Sequence, residues 1–309
     1  MKRNLVFAVV LSLFIVVPGT AQRLVLDTKQ LLRDVQVLAA DSMEGRLSGS
    51  QGNRMAQDYI TSRFKEIGLQ TYHDSYRHTF ALDSRGVKVK DAANLIGYIP
   101  GKTDKAIVIT AHYDHVGIRE GAVYNGADDN ASGVAALFAA ATYFKKHKPY
   151  HTLVFAALDA EELGLRGADA LLENPPLPLQ NMLLNVNMDM LSINLKGELY
   201  ASGTYHYPAL IPYLEQVAAR PQAKLLLGHD RPEQGENDWT KQSDHFQFHK
   251  RGIPFIYFGV EDHPHYHKPS DTFSNINPVF YPDAAALVID FILAIDKKRL
   301  NLQQQAPKQ

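Results

Sequence analysis

The sequence predicts an α/β protein, a single-domain three-layer α/β/α sandwich around a mostly parallel central mixed sheet. Short apolar runs that are typical of buried strands alternate along the chain with segments of helical apolar spacing. These strand segments are continuously apolar, which indicates a sheet covered by helices on both faces. We find no internal repeat and no linker rich in Gly, Ser or Pro. We therefore expect one domain over residues 24–298, followed by a flexible tail at 299–309.

The individual elements follow from periodicity and from local stop signals. Asp27 is suited to cap the first helix, and Gly68 is suited to end the second. A long polar segment, residues 228–242, is predicted to be a surface loop or lid. The predicted strands are residues 94–99, 106–111, 152–158, 183–188 and 253–260. The predicted helices are residues 27–40, 53–68, 132–146, 164–173, 207–220 and 283–298.

The N-terminus has the pattern of a signal peptide. A basic start, MKRN, precedes an apolar run at residues 5–17, and Gly19 and Ala21 suit cleavage after a small residue. We predict a signal peptide over residues 1–21, and no stable membrane anchor once it is removed. The chain has no cysteine, and export without disulfides favours a bacterial periplasm or the medium. The predicted location is therefore exported, either periplasmic or secreted.

Composition narrows the possible partners. The formal net charge is -1, and 45% of the residues are hydrophobic, as in an ordinary globular enzyme. Because there is no basic stripe, we predict that nucleic acid is not a partner. The oligomeric state does not follow from the sequence.

Acidic and histidine side chains follow the ends of four predicted strands. The carboxyl ends of parallel strands meet at one edge of a sheet, where ligands usually bind. Each residue alone has an ordinary explanation, such as a helix cap or a turn, but their joint position favours a functional site. The residues are His112 and Asp114; Asp159, Glu161 and Glu162; Asp189; Glu261, Asp262, His263, His265 and His267; and, before a predicted helix, Asp128 and Asp129.

This set of side chains has the chemistry of a metal centre. Imidazoles and carboxylates without cysteine suit zinc or a similar ion. Five protein ligands exceed what one tetrahedral zinc with an open position needs, but they fit two ions about 3.5–4 Å apart that share a carboxylate. Of the adjacent Glu161 and Glu162, one would bind metal. The other would stay free as the general base for an activated water.

Six motifs, taken together, resemble the co-catalytic zinc aminopeptidases of the M28 type. HYDHVG, GADDNASGVAAL, DAEELGLRGA, NMDM, SDHFQF and YHKPSDT occur in the order, and at about the intervals, of that family. The resemblance extends from about Leu31 to Asp290. It implies a zinc-aminopeptidase-like fold without an inserted protease-associated domain, and two Zn²⁺ per chain. The implied substrate is a peptide with a free N-terminus, hydrolysed at its first peptide bond.

The resemblance also implies a role for each site residue. His112 and Asp189 would bind one zinc, Glu162 and His267 the other, and Asp129 would bridge them. Glu161 would be the general base, Tyr266 would stabilise the tetrahedral intermediate, and Asp114 would orient His112 without binding metal. A cis peptide between Asp129 and Asn130 is implied as well. Asp128 is the alternative to Asp129, and His265 is the alternative to His267.

Three other functions fit parts of this pattern. Glutaminyl cyclases look similar, but they use a single zinc and commonly carry a tryptophan where this chain has Tyr266. A non-catalytic peptide-binding protein on the same fold would be expected to have lost Glu161 or a metal ligand. A carboxypeptidase or amidohydrolase would need a cation for the substrate carboxylate. Arg46, Arg119 and Arg231 are the candidates for it.

Overall fold

The computed structural model describes residues 24–297 together with Leu300 and Leu302. The predicted signal peptide and nearly all of the predicted tail lie outside these residues. Within the described part of the chain, none of the helices combines the length and the apolar character needed to cross a membrane.

An eight-stranded mixed sheet lies at the centre of the fold. Among the described residues, the strands are β1 (Arg77–Ser84), β2 (Val87–Ile99), β3 (Thr103–His112), β4 (Ile118–Arg119), β5 (Ala122–Val123), β6 (His151–Leu158), β7 (Met182–Met188), β8 (Glu198–Ser202), β9 (Lys224–Leu227) and β10 (Phe255–Gly259). Their order in the sheet is β1–β2–β6–β3–β7–β10–β8–β9, and the four strands β6, β3, β7 and β10 are parallel to one another. β2 and β8 flank this block and run antiparallel to β6 and β10, respectively.

Helices cover both faces of the sheet, which confirms the predicted three-layer sandwich. Along β6, Leu153 and Phe155 pack against one helical layer, whereas Val154 and Ala156 pack against the other. This alternation is the period of two that a strand imposes. The first layer contains α1 (Thr28–Leu38), α2 (Gln51–Ile67), α3 (Gly133–Lys146), α5 (Ile211–Leu214) and α7 (Phe280–Ile295), and the second contains α4 (Arg166–Glu173) and α6 (His245–Lys250).

The helix ends follow the local signals in the sequence. Asp27 accepts a hydrogen bond from the backbone N–H of Gln30 and caps α1. Gly68 adopts the left-handed conformation, with φ of 78°, and ends α2. The start of α1 and the end of α2 therefore lie where the local sequence signals predict them.

The predicted helix over residues 207–220 is wrong for most of its length. A 3₁₀ turn at Pro208–Leu210 leads into the four-residue α5, and the following N–H groups of Gln216 and Val217 bond carbonyls only three residues back. The side chain of Gln216 also bonds the carbonyl of Pro212. These tighter bonds replace the longer helical ladder.

The segment 228–242 is anchored to the body of the fold at two points. The buried ring of Trp239 makes edge-on contacts with Tyr200 and Tyr257, with ring centroids 5.7 Å apart in each case. The carboxylate of Asp230 accepts hydrogen bonds from Gly203, Thr204 and Tyr205. Two 3₁₀ helices, Pro232–Asn237 and Trp239–Lys241, occupy the loop between these contacts.

Candidate metal centre

The predicted ligands converge beyond the carboxyl ends of the parallel strands. His112 is the last residue of β3, Glu161 and Glu162 follow β6, and Asp189 follows β7. Asp129 comes from the turn before α3, and His267 from the loop after β10. The topology thus brings residues far apart in sequence to one edge, as the strand-end argument predicts.

One group of donor atoms consists of His112, Asp129 and Asp189. Nε2 of His112 lies 3.1 Å from Oδ1 of Asp189 and 3.3 Å from Oδ1 of Asp129. All three residues are buried. We call this group the three-donor set.

A second group uses the other oxygen of Asp129. Oδ2 of Asp129 lies 3.0 Å from Nε2 of His267, and that nitrogen lies 3.1 Å from Oε1 of Glu162. His115 joins them, with its Nδ1 at 2.9 Å from Oε1 of Glu162 and 3.6 Å from Oδ2 of Asp129. We call these four residues the four-donor set. Asp129 belongs to both sets, as expected of a bridging carboxylate.

The two sets fit a pair of zinc-sized ions. A tetrahedral ion with ligand bonds of 2.0–2.1 Å places its ligand atoms about 3.3 Å from one another, close to the separations above. Oε1 of Glu162 and Nδ1 of His115 are buried with no hydrogen-bond partner among the described residues, although they lie only 2.9 Å apart. One donor atom from each of the four residues lies within 4.8 Å of the others, which is the arrangement of donors around a cation.

The alternatives to Asp129 and His267 point elsewhere. Asp128 accepts hydrogen bonds from Ser132 and Ser192 and contacts Nε2 of His263 at 2.9 Å. Nδ1 of His265 lies 3.0 Å from the hydroxyl of Ser270. Neither residue belongs to a donor set within the described chain.

The turn that carries Asp129 is held from several sides. Its backbone N–H and that of Asp128 both donate to the carboxylate of Asp271, at 3.0 and 2.9 Å. The peptide bond between Asp129 and Asn130 is cis, as the resemblance implied. The Asn130 side chain donates to the carbonyl of Met188. This network fixes the bridging carboxylate relative to β7.

Asp114 positions the glutamate pair more directly than it positions His112. Its carboxylate accepts hydrogen bonds from the backbone N–H groups of Glu161 and Glu162, at 3.0 and 3.2 Å. Nδ1 of His112 lies 3.2 Å from the backbone carbonyl of Asp114 but 3.6 Å from its carboxylate. The carboxylate therefore holds the turn after β6, and the carbonyl orients the imidazole.

The adjacent glutamates differ in their electrostatic surroundings. Burial raises the pKa of Glu161 well above its usual value, and the charges of Asp189, Asp244 and Glu162 add to the effect against that of His112. Burial would also raise the pKa of Glu162, but contacts with His115 and His267 outweigh it and lower that pKa to about 2. Glu161 thus has the environment of a proton acceptor, and Glu162 that of a ligand.

Other sequence-predicted residues have clear positions. Tyr266 stacks on the ring of His267, with centroids 4.0 Å apart. Arg46 is fully buried and donates to the carbonyls of Leu38, Tyr113, Asn125 and Gly126, so it is not available to a substrate carboxylate.

Sequence reasoning missed three residues of the centre. His115 lies within HYDHVG, only three residues after His112, and Ser243 and Asp244 lie within SDHFQF. Ser243 donates to Asp189 at 2.7 Å. Asp244 is buried, neither of its carboxylate oxygens has a hydrogen-bond partner among the described residues, and burial raises its pKa to about 8. Their positions within these two motifs were the only sequence signal that could have identified them.

Comparisons with known proteins identify relatives and solved structures that this chain resembles. A probable leucine aminopeptidase from Arthroderma otae is 27% identical over 206 residues, which cover 62% of this chain and 55% of the relative. The chain spans about half the length of the first curated relatives it matches. A zinc aminopeptidase from Bacillus subtilis superposes with a TM-score of 0.71 at 17% identity, covering 91% of this chain and 98% of that one.

A second kind of enzyme has the same fold. The glutaminyl cyclase of Porphyromonas gingivalis also gives a TM-score of 0.71, at 18% identity, with 86% of this chain and 97% of that chain covered. Structural likeness at these identities shows the fold alone. The family model described as Peptidase family M28 matches residues 94–292, well over half of the chain. The chain therefore belongs to peptidase family M28.

Proposed function

We propose that this protein is a di-zinc aminopeptidase that removes residues from the free N-terminus of peptides. The observation that carries the proposal is the pair of donor sets that share Asp129, with the carboxyl group of Glu161 beside them and outside both. Family membership and the aminopeptidase relatives support it.

The side chains divide the chemistry among them. His112, Asp129 and Asp189 would hold one zinc, and Asp129, Glu162 and His267 the other. When bound, such a pair lowers the pKa of a water molecule and polarises a carbonyl group. Glu161 accepts the proton of the attacking water on a carboxylate oxygen and delivers it to the departing amine.

Two further features concern the substrate. Tyr266, stacked on His267, donates a hydrogen bond from its hydroxyl to the tetrahedral intermediate. The aminopeptidase relatives support recognition of a free α-amino group. An N-acetylated peptide lacks this group and should be a poor substrate.

The strongest alternative is glutaminyl cyclisation, because an enzyme of that kind shares the fold. A cyclase with one zinc has no use for a second complete donor set. The three-donor set, with His112 buried 3.1 Å from Asp189, therefore favours hydrolysis. All proposed ligands and Glu161 are present, which also disfavours a non-catalytic binding protein.

One peptide panel separates these functions. Zinc-loaded protein is incubated with peptides that have free, acetylated or glutamine N-termini, and the products are weighed by mass spectrometry. Loss of single residues from free N-termini only, abolished by a chelator, is the expected result. Loss of ammonia from the glutamine peptide without hydrolysis would replace the proposal with a cyclase, and inertness toward the whole panel would overturn it.

Export is a separate proposal that depends on residues 1–21. The basic start, the apolar run and the small residues before position 22 support it. N-terminal sequencing of the protein from a bacterial periplasm tests it. A mature chain that begins at Gln22 is expected, and a chain retained in the cytoplasm with Met1 intact would contradict it.

A further inference from the structure

We infer that His115 is a fourth protein ligand of the metal ion that Asp129, Glu162 and His267 would bind. The two metal positions would then be unequal. Protein donors would fill the coordination shell of this ion, whereas the ion at the three-donor set would keep one position free. The inference rests on the proposed metal centre and extends it, because the resemblance assigns only Asp129, Glu162 and His267 to this position. It concerns the coordination of one ion and does not depend on which peptide is cleaved.

The geometry at His115 is that of a ligand. Nδ1 lies 2.9 Å from Oε1 of Glu162 and 3.6 Å from Oδ2 of Asp129. These values bracket the separation of about 3.3 Å expected between two ligands of a tetrahedral zinc. Its ring centroid is 5.7 Å from that of His267, so the two imidazoles approach the same position from different sides.

The contacts of His115 leave its nitrogen without another role. The ring is fully buried, yet neither nitrogen has a hydrogen-bond partner among the described residues. A buried polar group without a partner destabilises the fold, because it has lost its hydrogen bonds to water without replacing them. Nδ1 of His115 lies only 2.9 Å from Oε1 of Glu162, yet the two atoms do not form a hydrogen bond, and Oε1 also has no other hydrogen-bond partner within the described structure. A cation between these atoms would satisfy both.

The surrounding backbone is built to hold this ring. A Cβ atom at Gly126 would lie 2.7 Å from Cγ and Cδ2 of His115 and 2.1 Å from the carbonyl oxygen of Asp129. Only glycine therefore leaves room for the imidazole beside the bridging residue. The buried Arg46 donates to the carbonyls of both Gly126 and Tyr113, which fixes the two segments that enclose His115.

The two ions should therefore differ in coordination and in affinity. Four protein donors complete the shell of a tetrahedral zinc, as in structural sites, whereas three donors leave a position for water or substrate. The four-donor set should therefore bind the first zinc and release it last. The three-donor set should hold the second ion, the one with the open position.

The test is a zinc titration of the metal-free protein in three variants. His115→Leu and His112→Leu each remove one imidazole donor at nearly constant side-chain volume. His265→Leu is the matched control, because His265 lies in neither set. Zinc affinities are measured by competition with a coloured chelator, after circular dichroism has verified the fold.

Wild-type protein should bind two zinc ions of different affinity. His115→Leu should lower the tighter affinity by at least about 100-fold, since loss of groups that only contact a ligand already costs 10–100-fold. His112→Leu should lower the weaker one, and His265→Leu should change neither. Two wild-type affinities in His115→Leu would overturn the inference.

A crystal structure of the zinc-loaded wild-type protein decides the matter if His115→Leu does not fold. Nδ1 of His115 should lie about 2.0–2.1 Å from one ion, and a separation beyond about 3 Å would overturn the inference. The proposed function and this inference can be contradicted independently. If His115 binds zinc but the protein is inert toward the peptide panel, only the proposed function is wrong. If the protein hydrolyses peptides but His115 does not bind zinc, only this inference is wrong.

Discussion

Ser243 donates a hydrogen bond of 2.7 Å to Oδ2 of Asp189, which leaves Oδ1 of that carboxylate 3.1 Å from Nε2 of His112. The hydroxyl of Ser243 in turn accepts a hydrogen bond from Nδ2 of Asn187 at 2.9 Å. The chain of contacts fixes which oxygen of Asp189 faces the metal centre. Ser243 is therefore a positioning residue for the three-donor set.

Ser243→Ala should weaken zinc binding at the three-donor set. The substitution removes the hydroxyl that orients Asp189, and changes of this kind cost about 10–100-fold in metal affinity. Competition with a chelator measures the loss, which should be confined to the weaker of the two sites. Ser274→Ala, at an exposed position, is the control. Unchanged affinity in Ser243→Ala would show that Asp189 is oriented by its backbone alone.

Glu161→Gln should strongly lower kcat without releasing metal. Glutamine keeps the size of the side chain but cannot accept a proton, and loss of a general base lowers kcat by about 10²–10⁴-fold. Peptide hydrolysis gives the rate, and the zinc content of the purified variant gives the occupancy.

Glu162→Gln is the matched comparison for that variant. Its Oε1 belongs to the four-donor set, so this substitution should lower zinc affinity as well as the rate. If Glu161→Gln kept full activity, or if it lost metal as Glu162→Gln should, the assigned roles of the two neighbours would be wrong.

The central strands were predictable because their burial leaves a continuous apolar signal. β3, β6, β7 and β10 all lie within or close to the predicted runs. β8 and β9 were not predicted, because they are short and flank the block where burial is incomplete. Residues 207–220 have the apolar spacing of a helix, but most of them are not helical. Apolar spacing alone therefore does not ensure that helical hydrogen bonds form.

The candidate site was predictable for the same topological reason. Residues that directly follow parallel strands must meet, so His112, Glu162 and Asp189 could be grouped without coordinates. The hydrogen-bond partners of Asp114 could not be predicted in this way, because they are backbone N–H groups whose directions depend on the turn after β6. His115 was missed because its direction depends on how the chain turns after β3.

Arg46→Met should destabilise the protein by more than about 4 kcal/mol. The guanidinium donates to four buried carbonyls, and each would lose a charged donor that is worth about 1.5–3 kcal/mol. Urea unfolding of the metal-free protein measures the free energy of unfolding. Arg54→Met is the control, since Arg54 is exposed and its substitution should change stability by no more than about 0.5 kcal/mol. Equal stability of the two variants would contradict the structural role of Arg46.

His245 should make the protein sensitive to acid. The pKa of this imidazole is lowered from 6.5 to about 3, chiefly by burial. The neighbouring His249 and His206 contribute to the lowering, and a hydrogen bond to the carbonyl of Trp239 opposes it. Below pH 6.5 the unfolded chain therefore binds a proton that the native state does not. The stabilising effect is complete above pH 6.5 and is lost progressively as the pH falls toward 3.

His245→Gln tests this effect, because glutamine keeps a donor for the Trp239 carbonyl but does not titrate. Unfolding free energies of the metal-free proteins are compared in urea at pH 7.5 and 4.5. The wild type should lose more stability between these values, and the difference should correspond to about one proton per molecule. Contributions from the carboxylates are common to both proteins and cancel in the comparison. Parallel pH profiles of the two proteins would show that His245 is protonated as readily in the fold as in water.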